Sequence, residues 1–140
     1  MFVDASAIVA VLNGEPERAL MLTALEAAER VTISPAVKFE AVLALARLKA
    51  ARPGRKREAA WAKIVAGVEK MLLECRAEEI SITPEIGRLA IEACSKFGRG
   101  SGHRAKLNFG DCLAYACAKF QREPLLFVGR DFVHTDIPRV

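Results

Sequence analysis

The chain has 140 residues, enough for one domain with a real core. It is 52% hydrophobic but only 6% aromatic, so aliphatic helices packed on a sheet are expected. Lys and Arg exceed Asp and Glu by 21 to 17, a net of +4 that is compatible with nucleic acid without requiring it. The four cysteines, Cys75, Cys94, Cys112 and Cys117, form no CxxC pair and show no zinc spacing with His103 or His134. They read as small buried hydrophobes of a reducing compartment. No stretch approaches the roughly 18–20 apolar residues that span a membrane. The N-terminus lacks the positive region and cleavage site of a leader. A soluble cytoplasmic protein, one domain over residues 1–140, is therefore expected.

The N-terminus, Met1 to Leu12, is an apolar run holding one carboxylate, Asp4. Continuous apolar residues suit a strand covered on both faces, and Asp4 falls where that strand gives way to helix. Ser6 reads as N-cap of a helix over Ala7 to Leu12, stopped by Asn13-Gly14. A second helix begins at Pro16, with Ala19, Leu20, Leu22, Leu25 and Ala28 as its apolar face. Val31-Thr32-Ile33 is a β-branched strand, and Ser34-Pro35 caps and opens a third helix running to about Ala51. Glu40 lies in its second turn, among apolar neighbours. It is either a helix acid facing solvent or a functional carboxylate.

Arg52-Pro53-Gly54 breaks that helix, and a fourth runs from about Glu58 to Leu73 with apolar residues at helical spacing. Arg47 to Arg57 holds six basic residues and no acid, the solvated tip of a helical hairpin or a contact for phosphate. Ile80-Ser81-Ile82 reads as a third strand. Thr83-Pro84 repeats the cap-and-proline device and launches a fifth helix to Phe97. Two strand, cap and proline repeats argue for βα units and a parallel sheet. Residues 98–106, with three glycines, read as a mobile basic loop. Asn108 then caps a helix to about Phe120 with Asp111 at N3, where an acid can be half of a capping box. Leu125 to Val128 is the last strand, Gly129-Arg130-Asp131 turns out of it, and Val133 to Ile137 reads as a short edge strand. The fold class is α/β, a central, mostly parallel sheet of four to five strands flanked by helices.

Ligands of such sheets sit outside the carboxyl ends of the strands. Asp4 and Asp131 follow strands at that rim, Glu40 lies just beyond another, and Asp111 opens the helix that feeds the last. On its own, Asp4 serves equally as a cap or Asx-turn residue. Gathered carboxylates repel one another and raise their own pKa values, which a hard cation relieves. Oxygen-only ligands suit Mg²⁺ or Mn²⁺.

Four segments, Phe2 to Ala7, Ser34 to Ala41, Leu107 to Ala116 and Pro124 to Ile137, together resemble the PIN-domain family and more closely its VapC-type toxins. The resemblance covers the whole chain. It implies a Mg²⁺- or Mn²⁺-dependent endoribonuclease acting on RNA, held in check by a VapB antitoxin and assembled as a homodimer. Asp4 and Asp111 match the best-defined metal ligands and Glu40 the third acid. Asp131 matches less closely, because relatives place Asn or Asp where this chain has Gly129. An antitoxin groove is expected between helices 16–29 and 36–51. Two rivals stand beside this reading. A phospho-receiver domain would need an Asp and a Lys where Thr83 and Gly129 stand. A non-catalytic PIN-fold binding protein for RNA or protein would have no reason to keep the acids.

Overall fold

The computed structural model describes residues 1–50 and 57–140. Four short parallel strands form one sheet in the order β3-β2-β1-β4: β1 (Phe2–Val3), β2 (Thr32–Ile33), β3 (Glu78–Glu79) and β4 (Leu125–Leu126). Phe2 pairs with Thr32 on one side and Leu125 on the other. The fully buried apolar strands β1 and β4 occupy the middle and far side of the sheet. Among the described residues six helices surround them: α1 (Ala5–Asn13), α2 (Arg18–Ala27), α3 (Pro35–Ala50), α4 (Arg57–Glu74), α5 (Pro84–Phe97) and α6 (Phe109–Gln121). Helix α3 packs on α1, α4 and α6, and α5 pairs with α6. The core is mostly small and aliphatic, as the low aromatic content implies, with Phe2, Ile8, Ile33, Leu45, Ile86 and Leu125 fully buried.

The chain punctuates its elements as its turn chemistry dictates. Gly14 takes a left-handed φ of 74° and donates its N–H to Ala10 O, ending α1. Ser34 Oγ accepts from Val37 N–H at 3.4 Å, and Thr83 caps α5 with Pro84 behind it. Asn108 caps α6 in a reciprocal box with Asp111.

Several expectations are corrected. Helix α1 is capped by Asp4, not Ser6, because the carboxylate accepts the Ser6 N–H. Helix α2 opens at Arg18 and buries Met21 and Leu25 while Leu20 faces solvent. The third strand is Glu78–Glu79 rather than Ile80 to Ile82. It is an edge strand, and its place is set by backbone bonds to β2, Glu78 N–H to Val31 O and Ile80 N–H to Ile33 O, both 2.9 Å. The tail is a 3₁₀ turn, Asp131–His134, followed by one bridge between Leu125 and Arg139. Cys112 and Cys117 are buried, but Cys75 is half-buried and Cys94 exposed. The 98–106 loop is tied by Ser101 Oγ to Gly98 O (2.8 Å) and His103 N–H to Ser101 Oγ (3.2 Å), and Ala105 is buried. Most of the Arg47–Arg57 tip, residues 51–56, lies outside the described residues. A cavity of about 560 Å³ lies between α1, α2 and α4, lined by Leu12, Leu22, Leu25 and Met71. Among the described residues no helix is long and apolar enough to cross a membrane.

Candidate active site

Asp4 leaves β1 at the carboxyl rim of the sheet, with its N–H donating to Leu126 O of the neighbouring β4 at 2.9 Å. Its Oδ2 accepts from both the N–H (2.9 Å) and the hydroxyl (2.5 Å) of Ser6. Ser6 Oγ in turn accepts from Val128 N–H at 3.0 Å. This chain of bonds fastens the exit of β4, and with it Gly129 to Asp131, beside Asp4. Asp111 reaches the same rim from α6. Its Oδ2 accepts from Asn108 N–H at 2.7 Å while its own N–H donates to Asn108 Oδ1 at 3.0 Å. Among the described residues the second oxygen of Asp111 carries no hydrogen bond. The capping role and the site role are therefore compatible, one oxygen for each.

Glu40 arrives from α3 and lies against Gly110 of α6: a Cβ at that glycine would stand 2.7 Å from Glu40 Cδ and 2.8 Å from Oε1. Only glycine leaves room for the carboxylate there. Asp131 is exposed, at the start of the 3₁₀ turn.

The electrostatics tie the four acids together. Asp4 is 5% exposed and Asp111 8%. Burial, opposed by the Ser6 bonds, raises the Asp4 carboxyl above its ordinary range, and the Asp131 charge adds to the rise. Burial lifts Asp111 from 3.8 to about 6, with the charges of Asp4 and Asp131 contributing. Glu40 is raised by burial first and then by Asp4 and Asp111. Among the described residues no lysine or arginine forms an ion pair with any of the four. Two largely buried acids with no ion-paired cation are costly, and an oxygen-only donor set of this kind fits a hard divalent ion. The acids feel one another's charge but stand apart: among the described residues no three His, Cys, Asp or Glu side chains close tightly enough to grip an ion as they are. His103 is not with them. Its ring packs edge-on against Phe97 at 5.1 Å and its Nδ1 accepts from Ala105 N–H.

The PIN domain family matches residues 1–138. A VapC ribonuclease of Rhizobium meliloti is 38% identical over 139 residues, covering 97% of this chain and 98% of its own. Ribonuclease VapC28 of Mycobacterium tuberculosis is 39% identical, covering 99% and 96%. This chain belongs to the PIN-domain family, in its VapC group. The same fold is found in VapC20 of Mycobacterium tuberculosis, a sarcin–ricin loop cleaving toxin, with a TM-score of 0.73 at 17% identity over 99% of this chain and 97% of that one. It is found again in VapBC2 of Rickettsia felis bound to a promoter DNA fragment, with a TM-score of 0.70 at 15% identity over 99% and 96%.

Four residues of this PIN domain escaped the sequence reading. Ser6 was expected as a cap and is instead the link between Asp4 and β4. Gly110 sits inside α6, where glycine is disfavoured, and that was the available sign that something packs against it. Phe39 and Phe109, 64% and 83% exposed, stand beside Glu40 and Gly110; nothing in the sequence distinguishes them from core aromatics.

Proposed function

We propose that this chain is a Mg²⁺- or Mn²⁺-dependent endoribonuclease and the toxin of a VapBC-type toxin–antitoxin pair. The observation that carries the chemistry is the buried Asp4 and Asp111 at one rim with Glu40, unrelieved by any ion pair among the described residues. RNA as substrate is supported by relatives at 38% and 39% identity that are named ribonucleases. A VapB-type antitoxin as partner is supported by the likeness to VapBC2 of Rickettsia felis.

In this reading Asp4 and Asp111 would hold the ion and Glu40 would orient it, with exposed Asp131 acting from the outer side. When bound, the ion supplies Lewis acidity, polarising a phosphoryl oxygen and acidifying a water so that it can attack. The protein's part is preorganisation. Ser6 fixes one oxygen of Asp4 and the Asn108 backbone fixes one oxygen of Asp111, so each carboxylate is aimed before substrate arrives. A carboxyl held at about 6 is partly protonated near neutrality, so Asp111 gives up a proton when a cation replaces it. Water rather than the ribose 2′-OH is the nucleophile in this reading, because an ion held by the acids would acidify it without a histidine or lysine base. A non-catalytic PIN-fold binder has no use for the costly acids.

The test is cleavage of single-stranded RNA with Mg²⁺, Mn²⁺ or EDTA by the parent, Asp4→Asn and Asp111→Asn. Cleavage requires the ion and both acids. Undiminished cleavage by either variant removes that residue from the role given to it.

A further inference from the structure

Most large apolar side chains of this protein are buried, and the exceptions are scattered, but two of them share one address. Phe39 precedes Glu40 on α3 and Phe109 precedes Gly110 on α6, and Glu40 and Gly110 are in contact. Both rings are thus within two residues of the carboxylates, on separate elements that meet there. One turn along, Val42 lies in the chain's own core, Leu113 packs against it and Leu43 is half-buried, so neither ring continues into a fully exposed apolar stripe among these residues. The surroundings are basic instead. Arg47 and Arg99 lie near enough to act on Glu40 and Asp111, and Arg104 and Lys106 are exposed on the adjoining loop. Exposed aromatics beside cationic side chains are what unpaired nucleobases stack on, in a manner tolerant of sequence.

We propose that Phe39 and Phe109 are base-stacking platforms that seat the unpaired nucleotides adjoining the scissile phosphate of a single-stranded RNA. The proposal rests on the ribonuclease reading and adds how substrate is positioned. An isolated base offers each ring a flat apolar partner, while the sugar–phosphate chain between them runs over the acids. Duplex RNA keeps its bases stacked on one another and offers none to the rings, so the platforms also select single strands and loops.

The experiment is steady-state cleavage of a short single-stranded RNA by the full chain with Phe39→Leu, Phe109→Leu, Phe39→Tyr and Phe109→Tyr. Melting temperature and oligomeric state are measured alongside. Each leucine variant should lower kcat/KM by about five- to 150-fold, chiefly through KM, and each tyrosine variant should restore it. Substrates with abasic riboses flanking the cleaved bond should be cut equally by parent and leucine variants. Leucine variants that cut normal RNA as well as the parent overturn the platforms and leave the nuclease reading standing. So does loss of a second copy or of the antitoxin with cleavage intact, which would give the rings to a protein partner. A parent chain that cuts no RNA overturns the nuclease reading itself.

Discussion

Gly110→Ala separates the site from the fold more sharply than removal of an acid does. Gly110 is the second residue of α6 and carries no left-handed φ, so alanine fits its backbone. Glycine in a helix costs about 0.8–1 kcal/mol relative to alanine, and the substitution alone should stabilise the protein by up to that amount. The new methyl, however, would stand 2.7 Å from Glu40 Cδ and 2.8 Å from Oε1. Carbon atoms rest about 3.5–4.0 Å apart, so the carboxylate must withdraw by about 1 Å. It can do so because it is the end of a flexible side chain, at small cost to the fold. A displacement of that size in a group that positions the reaction costs about 100-fold in rate. The expected outcome is a melting temperature unchanged or raised by up to about 4 °C, with kcat for RNA cleavage down by about two orders of magnitude. Thermal melts and initial rates on one preparation check both. A variant that is as active as the parent, or that loses stability and activity together, refutes the assignment of Gly110 as the space Glu40 needs.

Asp4→Asn and Asp4→Ala should differ in stability though both abolish cleavage. Asparagine keeps the cap on Ser6 N–H and removes a charge whose ionised form the fold disfavours, so it melts at or above the parent at pH 7; alanine loses the cap and about 0.5–2 kcal/mol. Mg²⁺ or Mn²⁺ at a hundredfold excess over its Kd should stabilise the parent by about 2.7 kcal/mol. Because Asp111 must be ionised to bind it, the gain should fade as pH falls through about 6 and vanish in Asp111→Asn, read as a shift in melting temperature. Away from the site, the Tyr115 hydroxyl, then Lys119, holds Asp136 down at about 2 against its ordinary 3.8. Asp136 is half-exposed, so screening reduces the effect to about 1 kcal/mol. A lowered acid stabilises above its unfolded pKa, so Asp136→Asn should melt below the parent at pH 6, and the gap should close as pH falls from 3.8 toward 2.

What could be read from the residues followed the strength of the local physics. Asn108, Thr83 and Ser34-Pro35 act through their own backbones, and α6, α5 and α3 begin where they stand. The rim location of Asp4 followed from a buried strand ending in a carboxylate. The third strand was misplaced because β-branched Ile80 and Ile82 look more strand-like than Glu78-Glu79, while an edge strand is fixed by the neighbour it bonds to. Ser6 illustrates the same limit at the site: Val128, whose N–H it accepts, lies 122 residues away. The contact of Glu40 with Gly110 and the exposure of Phe39 and Phe109 likewise arise where α3 meets α6, a packing that periodicity does not encode. A carboxylate among apolar residues, Glu40, was visible as an anomaly, and it lies against the one glycine of α6.

The chemistry of the cut ends decides between water and the ribose 2′-hydroxyl as nucleophile. RNA cleaved by the purified chain should carry 5′-phosphate and 3′-hydroxyl termini, and cleavage should stop in EDTA and return with Mg²⁺ or Mn²⁺, as the proposed attack by water with an ion held by Asp4 and Asp111 requires. A 2′,3′-cyclic phosphate, or cleavage that persists in EDTA, would instead require a side-chain base acting on the 2′-hydroxyl and would contradict the account.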